Sequence, residues 1–283
     1  MDLRNQIEQA LGLLISEIDP LSGGSVGQVY CLRTADGRSL VAKVDNGPRP
    51  RLDIEGYMLD YLREQSNLPV PATLYASPQL LVMTCLPGES SFSSSAQKHA
   101  AELLAGLHGQ TAPSFGLERN TLIGGLHQPN SYYDDWIPFF AEQRLLYMAG
   151  EAAAAGQLPS HMIPRIEKMA ARLSGYLLEP DAPSLIHGDV WTTNVLASGA
   201  RITAFIDPAI YYASPEIELA FITLFGSFGE PFFNRYNELR PIVPGFFEER
   251  RDIYNLYPLL VHVRLFGGGY VARVDAILSR FGL

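Results

Sequence analysis

The stretch "LIHGDVWTTN" (185–194) sets a short apolar run ahead of a polar turn, and "ITAFIDPA" (202–209) repeats that arrangement soon after. Each run is short enough for a buried strand. Asp189 and Asp207 stand just past the two runs, and Asn194 closes the first turn. Asp and Asn weaken strand interiors and favour turns. The pattern therefore predicts three oxygen-bearing side chains at the ends of two strands. Those strands interrupt a region that otherwise reads as helix.

Working outward, the helical pattern extends both ways. Upstream, Ala100, Leu103, Leu104 and Leu107 fall on one stripe, and "DDWIPFFAEQRLLYMAGEA" and "IPRIEKMAARLSGYLL" read as further helices. Downstream, "SPEIELAFITLFGSF" has the makings of a helix start. Ser214 can cap, Pro215 suits the first position, and Glu216 and Glu218 complement the positive end of the dipole. Ile217, Phe221, Leu224 and Phe225 form its expected buried stripe. The last third is helical and aromatic-rich, with Pro258 inside one helix.

The first part of the chain reads differently. Residues 3–15 suit a short amphipathic helix. "SGGSVGQVYCLRTADGRSLVAKV" suits two strands joined at the Asp-Gly turn of "ADGR" (35–38). "PRLDIEGYMLDYLRE" places Ile54, Met58 and Leu62 at helical spacing, and the run 80–86 suits a buried strand. A Ser-rich connector, "GESSFSSS" (88–95), follows. The expected class is α+β in two lobes: a small β-rich lobe over 1–87 and a large, mainly helical lobe over 88–283.

Composition narrows the function. The 283 residues suffice for a sizeable core, and the formal net charge of −9 lacks the basic bias of a nucleic-acid-binding protein. No apolar run is long and clean enough to span a bilayer, and the opening residues do not read as a signal peptide. Cys31 and Cys85 form no CxxC pair, which suits a reduced, cytoplasmic protein.

Four features carry chemistry. In "SGGSVGQV", Gly24 and Gly27 fit the last two glycines of a phosphate-covering loop and Val29 its terminal valine, with Ser22 in the place of the first glycine. Lys43 lies in the otherwise apolar "LVAKV", on the same face as Val41. A buried ammonium needs a partner, and Glu55 or Asp53 on the next helix could supply it. Asp189 and Asn194 stand at D-x-x-x-x-N spacing, with Asp207 on the following strand. This set matches the needs of metal-assisted phosphoryl transfer: a proton acceptor, Asp189, and two oxygen ligands for Mg²⁺, Asn194 and Asp207. His187 is read as holding the loop, and Trp191 as facing the acceptor.

With these residues in view, the sequence resembles the fructosamine/ketosamine-3-kinase family, within the wider group of aminoglycoside and choline kinases. "HGDVWTTN", "IDPAIYY", "PEIELAFITLFGSF", "FFNRYNE", "PGFFEERRDIYNLY" and "FGLERNTLIGGLHQPN" carry the resemblance across nearly the whole chain. It implies a bilobal protein-kinase-like fold and ATP-dependent phosphorylation of the 3-hydroxyl of ketoamines, on proteins or small molecules, in the service of deglycation. It further implies that Gly24 and Gly27 cover the phosphates, that Lys43 pairs with Glu55, and that Met83, Thr84, Cys85 and Leu86 hold adenine. Three departures from the family pattern stand out: "WTTN" in the loop, Ser22, and Val261 with Arg264 in "YPLLVHVRLFGGGY". The last bears on acceptor choice. The competing expectations are a kinase for another alcohol, such as an aminoglycoside or amino alcohol, and a nucleotide-binding protein without catalysis.

Overall fold

The computed structural model describes residues 2–21 and 27–283. The expected Gly24 and the departure at Ser22 lie outside the described residues. The chain begins with α1 (Leu3–Leu11), then β1 (Ile15–Leu21), β2 (Gln28–Thr34) and β3 (Ser39–Val44). Helix α2 (Leu52–Gln65) follows, then β4 (Thr73–Ala76) and β5 (Leu80–Thr84). The strands form one antiparallel sheet in the order β1-β2-β3-β5-β4.

Strand β5 explains the sheet's place in the molecule. Leu80 and Val82 join Ile7, Ile15, Leu32, Leu40, Ala42 and Val44 in a core beneath α1. Leu81 and Met83 point the other way, into the core that includes Met58, Leu59 and Leu62 of α2. A strand covered on both faces needs apolar residues at consecutive positions rather than alternate ones. Strand β1 is the opposite case. Most of its residues are exposed, and it carries Pro20, which an edge strand tolerates because one side needs no ladder partner. The opening helix ends at Leu11 rather than at 15, because Gly12 turns left-handed at φ 66° and closes it.

The second lobe starts with α3 (Ser94–Leu107), capped by Ser93 Oγ, which accepts from Ala96 N at 3.2 Å. The Ser-rich stretch before it is anchored. Glu89 and Ala197 exchange two backbone hydrogen bonds, each 2.9 Å, and Ser90 Oγ donates to the Val195 carbonyl at 3.1 Å. A hairpin of β6 (Thr121–Ile123) and β7 (Leu126–Gln128) leads to α4 (Trp136–Phe139). A wider π-helical segment, Phe140–Leu146, continues into α5 (Tyr147–Ala154), followed by α6 (Ile163–Ala170).

Strand β8 (Ser184–Ile186), β9 (Val195–Ser198), β10 (Arg201–Phe205) and β11 (Tyr211–Ala213) pair as β8 with β11 and β9 with β10. Then come α7 (Pro215–Leu224), α8 (Glu230–Leu239), α9 (Arg251–Phe266) and α10 (Gly269–Arg280). Helix α7 departs from its expected one-sided stripe. Residues 217–222 are all buried, whereas Leu224 and Phe225 are only partly so. A helix packed on all sides shows no amphipathic stripe. Ser214 stands at the N-cap but makes no side-chain capping bond.

Candidate active site

A cleft of about 810 Å³ opens between the sheet and the helical lobe. From the sheet side it is lined by Val29, Val41, Lys43, Met83, Thr84, Cys85 and Leu86, and α2 adds Glu55. From the other side come Asp189, Trp191, Asn194 and Asp207. Register explains the sheet's contribution. Val29 pairs with Lys43, and Val41 with Met83, so these four side chains share one face. Gly27 lies just before β2 with φ 72°, and a Cβ there would come 2.4 Å from the Val44 carbonyl oxygen. Only glycine permits that approach.

Lys43 reaches both lobes. Its Nζ donates to Glu55 Oε1 at 2.6 Å and to Asp207 Oδ1 at 2.5 Å. Glu55 is thus the partner on α2, and Asp53 is not. Burial alone would push the Lys43 ammonium down, but the two carboxylates outweigh it and hold the group above its ordinary value. Burial pushes Glu55 up, with Lys43 opposing. Asp207 is the one non-glycine residue among those described with positive φ, at 55°. Asp tolerates that region better than most residues, and the turn aims its carboxylate into the cleft.

The loop 187–194 is tied to itself. Asn194 Nδ2 donates to the Asp189 carbonyl at 3.1 Å and to Asp189 Oδ2 at 2.8 Å. Asn194 also accepts at its carbonyl from Ile206 N at 2.9 Å, which fixes the loop against the approach to Asp207. Asp189 is pushed up to about 8, first by burial and then by the charge of Asp207, with the Asn194 hydrogen bond opposing. His187 does not line the cleft. It is buried beneath the loop, where its Nδ1 accepts from Asp189 N at 3.3 Å, and burial lowers it to about 4. A neutral imidazole in that place supports the loop.

Behind the loop lies a network that the sequence did not reveal. Gly188 N donates to Glu218 Oε1 at 2.6 Å, and Glu218 Oε2 meets His108 Nε2 at 2.8 Å. The other ring nitrogen of His108 meets Tyr236 Oη at 2.7 Å. All three side chains are buried. Glu218 was expected to serve the helix dipole; instead it faces inward and grips the loop. The available signal was an acid in the middle of the apolar "IELAFI". Gly188 is also fixed by space, since a Cβ there would meet the Ala209 carbonyl oxygen at 2.1 Å.

Asp189 and Trp191 also line a second, smaller cavity of about 70 Å³, with Phe221, Tyr257, Val261 and His262 among its walls. Its floor includes Tyr211, braced by Arg144, whose guanidinium lies 3.7 Å from the ring centroid. Arg144 is fully buried and was also missed. It donates to the Pro129 carbonyl and to Asn130 Oδ1, each at 2.6 Å.

For a metal, the cleft offers the carboxylate of Asp207 and the amide oxygen of Asn194. Among the described residues, no group of three or more His, Cys, Asp or Glu could hold a metal by itself. Two hard oxygen donors beside the Lys43 ammonium fit Mg²⁺, which takes most of its other ligands from water and phosphate. Among the described residues, no helix is long and apolar enough to cross a membrane.

The sequence profile described as fructosamine kinase matches residues 1–282. A candidate ketoamine kinase of Enterococcus faecium is 32% identical over 278 residues, covering 95% of this chain and 96% of its own. The chloroplastic protein-ribulosamine 3-kinase of Arabidopsis thaliana is 29% identical, covering 94% and 83%. A crystal structure of a candidate fructosamine-3-kinase from Thermobifida fusca superposes with a TM-score of 0.87 at 29% identity, covering 98% of this chain and 97% of the other. An aminoglycoside phosphotransferase, solved with ADP and hygromycin B, shares the fold at a TM-score of 0.69 and 17% identity. The architecture is bilobal and protein-kinase-like.

Proposed function

The chain belongs to the fructosamine kinase family, and on that footing we propose that it transfers the γ-phosphoryl group of ATP to the 3-hydroxyl of ketoamines. The observation that carries this reading is the double exposure of Asp189, which lines both the large cleft and the small cavity beside Trp191. A group that must meet a phosphoryl donor and an acceptor hydroxyl together belongs at such a junction.

In this reading the adenine lies against Met83–Leu86, with Val29 and Val41 together on its sheet side. Gly24 and Gly27 cover the phosphates. Lys43, held by Glu55, turns from Asp207 toward the phosphate oxygens. Asn194 and Asp207 hold Mg²⁺, which when bound neutralises the charge on the phosphates. The acceptor hydroxyl attacks the γ-phosphorus as its bond to ADP breaks, and Asp189 takes the proton. Asn194 fixes Asp189 for that task, and Trp191 stacks on the acceptor. The sugar adduct so phosphorylated becomes labile, which makes the activity one of deglycation. The two free thiols, Cys31 and Cys85, suit a reduced cytoplasmic setting.

The test is an acceptor panel with purified protein, ATP and Mg²⁺. ADP release and a phosphate mass gain should occur with fructosamine and ribulosamine adducts and not with kanamycin or choline. A better rate on kanamycin or choline would overturn the acceptor and keep the kinase. ATP binding without phosphate transfer to any acceptor would leave a nucleotide-binding protein.

A further inference from the structure

A band of aromatic rings runs outward from the small cavity. Trp191 lies 5.7 Å from Phe225 between ring centroids, and Phe225 lies 5.0 Å from His262. His262 in turn lies 4.9 Å from Tyr270 and 5.8 Å from Phe266. Trp191 and His262 also line the cavity beside Asp189, so the band and the cavity are continuous. Phe266 is 61% exposed, an uncommon setting for so large an apolar ring. Arg273 stands beside the band, its guanidinium carbon 5.7 Å from the Phe225 centroid. Arg273 Nη2 donates to the Leu224 carbonyl at 3.2 Å, and no carboxylate pairs with Arg273 among the described residues.

His262 contributes a neutral ring to this band. A carbonyl can only accept, so His262 Nδ1 donates to the Pro258 carbonyl at 2.7 Å. Burial holds the imidazole below its ordinary value, and nearby Arg273 pushes in the same direction. The band therefore offers ring faces along its length and, beside Phe225, a cation with no carboxylate partner among the described residues.

Resting on the ketoamine reading above, we propose that Phe225, His262, Phe266, Tyr270 and Arg273 form the subsite for the amine-side substituent of the acceptor. The subsite selects an apolar or aromatic substituent that carries a carboxylate. The chemistry follows from the substrate. With the 3-hydroxyl at Asp189, the ketoamine nitrogen lies two carbons away along the sugar, toward Trp191. Whatever the nitrogen carries must then lie along the rings that continue from Trp191. A ring or branched chain stacks there, the nitrogen's positive charge meets π-faces, and a carboxylate reaches the free N–H groups of Arg273. A glycated free amino acid with an apolar side chain has all three features. An adduct on a lysine side chain places a flexible chain on the rings instead and brings no carboxylate near.

The experiment compares fructosyl-phenylalanine, fructosyl-phenethylamine and an Nε-fructosyl-lysine peptide as acceptors for the purified full chain. The phenylalanine adduct should have the lowest KM. Phe266→Ala should raise that KM by roughly 5–20-fold with a much smaller effect on the KM for ATP. Arg273→Gln should remove the preference for phenylalanine over phenethylamine, a ratio expected at about 10-fold, and Arg273→Lys should restore part of it. Equal KM values for the three adducts in the unmodified protein would overturn the subsite and leave the ketoamine reading standing. So would an Arg273→Gln variant that keeps the preference. Absence of phosphate transfer to every ketoamine would overturn both.

Discussion

The loop 187–194 has two faces that differ in almost every respect. The cleft face presents Asp189 and Asn194 toward Lys43, Glu55 and Asp207, in a space open to ligands. The buried face holds Gly188 through Glu218, His108 and Tyr236. Both faces are made of charged and polar groups. On the first, Lys43, Asp189, Asn194 and Asp207 face a cleft of about 810 Å³. On the second, each acceptor meets a donor within the protein, as buried polar groups require. The comparison teaches that polarity alone does not mark a candidate site; polarity that faces a cleft of ligand size does.

The comparison breaks if the two faces respond alike to substitution. The largest expected effect is on turnover at the cleft face. Asp189→Asn keeps the side chain's size and removes the proton acceptor, so kcat should fall by roughly 10²–10⁴-fold. Nucleotide affinity, read by titration calorimetry, should persist. An Asp189→Asn enzyme with near-normal kcat would show that the proton leaves by another route.

The buried face should answer in stability. Glu218→Ala leaves both the Gly188 N–H and His108 Nε2 without a partner and opens a small void. A loss of about 2–4 kcal/mol in urea denaturation is expected. If stability were unchanged while kcat collapsed, Glu218 would belong with the chemistry and the division between faces would fail.

A double-mutant cycle sharpens the cleft face. Lys43→Met and Glu55→Gln each remove one end of a 2.6 Å ion pair. Their effects on kcat/KM should be non-additive by about 0.5–3 kcal/mol. Additive effects would mean that Glu55 does not set the position of the lysine. The smallest expected effect is at the far end of the buried network. Tyr236→Phe deletes one hydroxyl and should cost about 1 kcal/mol of stability, with kcat within about 2-fold. A larger loss of kcat would show that the loop's position depends on the whole chain of contacts back to α8.

The two faces also differ in how far the sequence discloses them. Asp189, Asn194 and Asp207 are close in the chain, and their spacing carries the geometry. Lys43 is visible because an ammonium interrupts an apolar strand. The buried network joins His108, at the C-terminal end of α3, to Glu218 on α7 and Tyr236 on α8, 110 and 128 residues further along, and no local pattern records which of them face one another. Glu218 could be read as a dipole partner because its position near the start of α7 satisfies that rule equally well. Strand β1 escaped for a different reason. As an exposed edge its residues need not alternate, and Pro20 argues locally against a strand. The π-helical segment at Phe140–Leu146, which carries Arg144, leaves no periodic trace in so short a stretch. The stripe expected on α7 failed because tertiary packing closed around it. The two-lobed outline was legible because long-range composition, β-branched and turn-rich first and helical afterwards, does not depend on such details.

One further consequence lies in the anchored Ser-rich stretch. Glu89, Ser90 and Ser93 are stitched to β9 and the turn after it, through Ala197, Val195 and the Gly199 carbonyl. The polypeptide therefore becomes part of the helical lobe's masonry as soon as it passes Gly88. The Pro87 carbonyl already accepts from Thr203 Oγ1, so the covalent join between the end of β5 and that seam is only a few residues long. Two of them, Cys85 and Leu86, also line the cleft. The covalent join between the sheet and the helical lobe and a wall of the large cleft are therefore the same short piece of backbone.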